Sequence, residues 1–160
     1  MSRDVRAGLD GVAAVQPIRL VLAEDHKVVR RGLQLVLDSE PDLVVVAQAG
    51  DVTAVRDLVR THRPDVLVLD LNMPGGSSLD AIPTLRRLVP DTQIVVLTME
   101  SSPPMVRAAR RAGALGYVLK EDADTELVAA VRRAAAGQPY LNRRLAARLV
   151  TERGAREGWD

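Results

Sequence analysis

The chain has 160 residues, is 47% hydrophobic and sets 22 basic against 21 acidic residues, a net charge of +1. That length suits one domain with a substantial core, and that balance gives no electrostatic case for this chain binding nucleic acid or a membrane surface. The absence of Cys excludes disulfides, thiolate catalysis and cysteine–zinc sites. No apolar run has the length of a membrane span, and Met1–Val15 lacks the apolar centre of a signal peptide, so a cytoplasmic placement is expected.

Residues 1–17 read as a flexible tail. From there, short apolar runs alternate with helical patterns: 18–24 (IRLVLAE), 43–48 (LVVVAQ), 66–70 (VLVLD), 94–98 (IVVLT) and 116–119 (GYVL). Continuous Val/Leu/Ile runs, without polar alternation, predict strands covered on both faces and hence a parallel sheet. The first helix places Val29, Leu33, Val36 and Leu37 on one stripe. Asp51 caps a second helix with Val52, Val55, Leu58 and Val59 inward. A third carries Ile82, Leu85, Leu88 and Val89, and Pro83 requires it to start near Asp80 or to kink. Pro103-Pro104 precede a fourth at Met105–Ala112, ended by Gly113. Asp122 or Asp124 caps a fifth with Leu127, Val128 and Val131 inward, up to Gly137.

Five βα units predict a doubly wound α/β sandwich, the flavodoxin-like (βα)5 fold with a five-stranded parallel sheet in the order 2-1-3-4-5. Residues 18–137 make up this domain. Residues 138–160 read as a linker with a helix at Arg143–Thr151, patterned by Leu141, Leu145, Leu149 and Val150. Twenty-three residues after Gly137 suffice for that helix but not for a helix-turn-helix module, so no sequence-specific DNA binding by these residues is expected.

In such folds, ligands bind at the carboxyl ends of the strands, where strand order reverses. Strand one ends in Glu24-Asp25, strand three in Asp70, strand four in Thr98 and strand five in Lys120. Only two of the 22 basic residues are Lys, Lys27 and Lys120, and both adjoin this acidic set. Three carboxylates in one crevice need a cation, and oxygen ligands with open water positions suit Mg²⁺. The remaining groups fit phosphoryl transfer. Asp70 is the expected nucleophile and phosphoacceptor. Asp25, Asp70 and the Asn72 backbone carbonyl are the expected metal ligands, with Glu24 acting through water. Thr98 and Lys120 are expected to hold phosphoryl oxygens.

The segments VLAEDHKVVRRGL, VLVLDLNMPGG, IVVLTMES and AGALGYVLK together resemble the receiver domain of two-component response regulators. DHKVVRRGL and AGALGYVLK look most like the NarL/FixJ branch, with its LuxR-type helix-turn-helix output. The resemblance implies a phosphoacceptor switch rather than an enzyme, with a sensor histidine kinase as phosphoryl donor to Asp70. It also implies a conformational change read through Thr98 and Tyr117, a homodimer on phosphorylation, and control of transcription through a DNA-binding output domain. Lys27, Met99, Gly76 and Pro103-Pro104 depart from the commonest pattern without removing a required chemical group.

The rival reading is a phosphatase with an aspartyl-phosphate intermediate. Haloacid-dehalogenase-like enzymes place a second acid two residues after the nucleophile, and here that position is Asn72. Singly, each residue has a blander reading: Asp70 as a turn residue, Glu24-Asp25 as a solvated pair, Thr98 as a strand former, Lys120 as a surface charge. Their shared position at the strand ends favours the joint reading. His26 and His62 read as structural, Met73 and Met99 as core fillers, and Arg107, Arg110 and Arg111 as a solvated helix face. Gly75-Gly76 is not a nucleotide-binding loop.

Overall fold

A computed structural model describes residues 16–150. The strands are β1 (Ile18–Ala23), β2 (Leu43–Ala49), β3 (Val66–Asp70), β4 (Gln93–Thr98), β5 (Gly116–Leu119) and β6 (Tyr140–Leu141). The helices are α1 (Lys27–Asp38), α2 (Val52–His62), α3 (Ser78–Leu88), α4 (Pro103–Ala112), α5 (Ala123–Ala135) and α6 (Arg143–Val150), with a 3₁₀ turn at Lys120–Asp122. The sheet order is β2-β1-β3-β4-β5-β6 and every pairing is parallel. The doubly wound fold is as expected, with one strand more.

Strand periodicity sorts the apolar side chains onto two faces. Val21, Ala23, Leu67, Leu69, Ile94, Val96, Tyr117 and Leu119 face one side, packed with Val55 and Val59 of α2, Ile82 and Leu85 of α3 and Val106 and Ala109 of α4. Leu20, Leu22, Val66, Val68, Val95, Leu97 and Val118 face the other, under Leu33 and Leu37 of α1 and Leu127, Ala130, Val131 and Ala134 of α5. All five residues of β3 are buried, which explains its unbroken apolar run.

Several local expectations need correction. α3 starts at Ser78 and runs through Pro83, because the Ser77 hydroxyl caps it by accepting from the Asp80 amide at 3.1 Å. α4 starts two residues early, with Ser102 as cap and Pro103 in the first turn, where a missing N–H leaves no bond unmade. Asp122 stands at the start of α5 but makes no capping hydrogen bond. Its carboxylate is engaged by Asn142 and Arg144 instead. Of the expected α1 stripe only Leu33 and Leu37 are buried: Val36 is half-buried and Val29 is exposed. Met99 is not a core filler: it is 75% exposed.

The largest difference lies where a linker was expected. Tyr140 and Leu141 pair with Gly116 and Tyr117 as a sixth strand. α6 then buries Leu145 and Leu149 in the cluster that contains Tyr117 and Leu119. Buried Glu126 of α5 pins the entry to this segment, accepting from the Tyr140 hydroxyl at 2.5 Å and from Arg143 N and Nε at 3.0 and 3.1 Å. The tail expected at residues 1–17 and the end of the helix expected at Thr151 fall largely outside the described residues. Among the described residues, no helix is long and apolar enough to cross a membrane.

Candidate functional site

Parallel pairing brings the carboxyl ends of β1, β3, β4 and β5 to one edge of the sheet, and the order reverses between β1 and β3. Glu24 and Asp25 follow β1, Asp70 ends β3, Thr98 ends β4, and Lys120 follows β5. The structure brings Glu24, Asp70 and Lys120 into direct contact. Lys120 Nζ lies 3.0 Å from Asp70 Oδ2 and 3.1 Å from Glu24 Oε1. Both carboxylate side chains are fully buried.

Each acid is also tied to its own loop. The Asn72 amide donates to Asp70 Oδ1 at 2.9 Å, turning the chain sharply out of β3. The His26 amide donates to Glu24 Oε2 at 3.1 Å, and Arg30 donates to the Glu24 carbonyl at 2.6 Å. Thr98 Oγ1 accepts from the Glu100 amide at 3.1 Å. The Glu100 carbonyl in turn accepts from the buried Tyr117 hydroxyl at 2.8 Å. Thr98 and Tyr117 are thus joined through one residue.

Burial raises the Glu24 pKa above the ordinary carboxylate value, and the Asp70 charge adds to this against the opposing His26 amide and Lys120. For Lys120, burial alone would lower the pKa, but hydrogen bonds and charge from Asp70 and Glu24 prevail and raise it. The lysine is therefore held as a cation. Burial, followed by the Glu100 charge, also raises the Tyr117 hydroxyl pKa, so it remains a neutral donor.

The donor set fits a divalent cation. Asp25 Oδ1 is buried without a hydrogen bond, Glu24 Oε1 meets only the Lys120 ammonium, and one lysine cannot balance three carboxylates. Glu24, Asp25 and His26 can offer ligand atoms that all lie within 4.8 Å of one another. His26, read from sequence as structural, places Nδ1 3.4 Å from Asp25 Oδ1 and 3.5 Å from Glu24 Oε2. Its adjacency to the acidic pair was the signal available in the sequence. Arg30 gave no such signal, because its role depends on folding back over the turn after β1.

A doubly wound α/β domain with an acidic pocket and a lysine at the switch point belongs to the class of flavodoxin-like signalling domains. The sequence model described as response regulator receiver domain matches residues 20–132, and the chain belongs to that family. Receiver domains are switches of two-component signalling. The chain is 40% identical over 136 residues to the oxygen regulatory protein NreC of Staphylococcus epidermidis, covering 84% of this chain and 62% of that protein. It is 40% identical over 144 residues to the DNA-binding transcriptional activator DevR/DosR of Mycobacterium tuberculosis, covering 89% of this chain and 66% of that protein. The crystal structure of a LuxR-family two-component response regulator from Aurantimonas sp. SI85-9A1 superposes with a TM-score of 0.81 at 32% identity, covering 86% of this chain and 99% of that one. The chain thus spans about 62% of the length of NreC.

Proposed function

We propose that this chain is the phosphoacceptor of a two-component regulator, in which Asp70 receives a phosphoryl group from the phosphohistidine of a sensor kinase. The observation that carries this is Lys120 Nζ, 3.0 Å from Asp70 Oδ2 at the foot of the pocket. An Asp70 carboxylate oxygen attacks phosphorus and an acyl phosphate bond forms. The P–N bond to the donor imidazole breaks, and its electron pair leaves with the imidazole. Lys120 stays charged and pairs with one phosphoryl oxygen, while the Thr98 hydroxyl donates a hydrogen bond to another. Glu24, Asp25, Asp70 and the Asn72 carbonyl would hold Mg²⁺, which when bound neutralises charge on the transferred group.

Engaging Thr98 in this way draws its Oγ1 away from the Glu100 amide, and Glu100 is the partner of the Tyr117 hydroxyl. Local chemistry therefore becomes a rearrangement of the β4–α4 loop and Tyr117. That rearrangement promotes homodimerisation and drives a LuxR-type DNA-binding output that controls transcription. Asn72 stands where a phosphatase of the aspartyl-phosphate type has its second acid, so the acyl phosphate persists as a signal rather than an intermediate of rapid turnover. Acetyl phosphate with Mg²⁺ should add one phosphoryl group to the wild type by intact mass, and Asp70→Ala should take none. Equal labelling of the variant would refute the assignment.

A further inference from the structure

We propose that Asn142 is a positioning residue for Lys120, making the segment beyond the fifth βα unit a working part of the phosphoryl pocket. The inference rests on the roles given to Asp70 and Lys120 above. Lys120 begins the 3₁₀ turn Lys120–Asp122, between a four-residue strand and α5. That turn has no side-chain cap of its own: neither Leu119 nor Asp122 supplies one. It is held from outside instead.

Asn142 is fully buried and makes three hydrogen bonds to the residues that bracket the lysine. Its amide donates to the Tyr117 carbonyl at 2.9 Å. Its Oδ1 accepts from the Leu119 amide at 3.3 Å, and its Nδ2 donates to Asp122 Oδ2 at 2.9 Å. Arg144 adds ion pairs to Glu121 and, at 2.9 Å, to Asp122 Oδ1. The side-chain bonds require an acceptor and a donor on one group, and the Asn142 carboxamide supplies both without a change of protonation. Asp at this position would face the Asp122 carboxylate, and an apolar residue would strand the Leu119 amide. One buried residue thus holds the backbone before Lys120 and the Asp122 carboxylate after it, while Lys120 Nζ meets Asp70 and Glu24.

The test uses the 160-residue chain, acetyl phosphate and Mg²⁺, and reads the limiting rate of Asp70 labelling and the donor concentration giving half that rate. Asn142→Ala should lower the limiting rate about tenfold, the scale of a small misplacement of a reacting group, with the half-rate concentration unchanged. Leu145→Ala loosens the same segment through packing alone and should keep a rate near wild type despite its lower stability. In a Lys120→Ala background, Asn142→Ala should cause no further loss, because the two act as one unit. A wild-type rate for Asn142→Ala, an equal loss in Leu145→Ala, or a full additional loss on top of Lys120→Ala would each overturn the positioning role. If Asn142→Ala does not fold, Asn142→Asp keeps the acceptor for Leu119 and removes the donor to Asp122. It should also be slow, and a wild-type rate there overturns the proposal. Failure of the wild type to take up any phosphoryl group instead overturns the reading of Asp70; uptake by wild type with an indifferent Asn142 overturns only the positioning role.

Discussion

Leu145→Ala decides whether α6 is part of the domain core or a solvated linker. Leu145 is fully buried in a cluster with Tyr117, Leu119 and Leu149. Fully burying a leucine side chain is worth about 2 kcal/mol in removed apolar surface. Its truncation also leaves a cavity against the sheet, where β5 is fixed by pairing on both edges and cannot collapse inward. Within the range measured for buried leucines, the expected loss is about 3 kcal/mol, which lowers Tm by roughly 10 °C for a domain of this size. A linker helix lying free in solvent would instead give a change of about 0.5 kcal/mol or less. Ala147→Ser, on the exposed side of the same helix, is the control. Urea and thermal unfolding of wild type, Leu145→Ala and Ala147→Ser should separate the first variant from the other two proteins. If Leu145→Ala melts with the control, the docking of α6 is wrong.

Two further predictions follow the electrostatics. Glu24 is buried and its pKa is raised, so its ionised form opposes folding. That cost is absent below its ordinary value of 4.5 and grows as pH rises through the raised folded value. Glu24→Gln should therefore raise the metal-free Tm at neutral pH, lose that advantage in acid, and reduce the stabilisation given by added Mg²⁺; a metal-free variant less stable than wild type at neutral pH would count against it. For Glu126, burial opposes ionisation, but bonds from Tyr140 and Arg143 outweigh it and the folded pKa is lowered. Its contribution is present above the ordinary 4.5 and disappears as pH falls through the lowered folded value. Glu126→Gln should cost about 2 kcal/mol at neutral pH, with the gap to wild type closing in acid; a gap independent of pH would refute the charge-assisted latch.

The sheet was legible because β1, β3, β4 and β5 are covered on both faces, which leaves runs of Val, Leu and Ile that no amphipathic helix would show. The convergence of Glu24, Asp70 and Lys120 was legible for a different reason: in a parallel sheet, the last residue of each strand fixes its place in the pocket. What escaped were features carried by too few residues or by long-range contacts. β6 has two residues, too short for any period to register. α6 has a readable apolar stripe, but a stripe does not say which surface it covers. Asn142 and Glu126 look like ordinary solvated residues in sequence, and their burial comes from strands and helices that meet only after folding. Met99 follows a strand whose residues are nearly all buried, yet the chain turns outward immediately after Thr98.

These missed features converge on β5. Its carbonyl at Tyr117 and its amide at Leu119 bond to Asn142, while the Tyr117 hydroxyl bonds to the loop that carries Thr98. Lys120, the next residue, sits between the acids. Under the proposed function, a shift of Thr98 toward a phosphoryl group would act, through Glu100 and the Tyr117 hydroxyl, on the strand that pairs with the start of the α6 segment. The coupling is then reciprocal as a matter of thermodynamics: a restraint that acts through the Asn142 bonds to β5 changes the free energy of occupying the pocket by as much as occupancy changes that restraint. Restraint at Asn142 should then alter the fraction of Asp70 modified at equilibrium with acetyl phosphate, without any contact at the pocket itself.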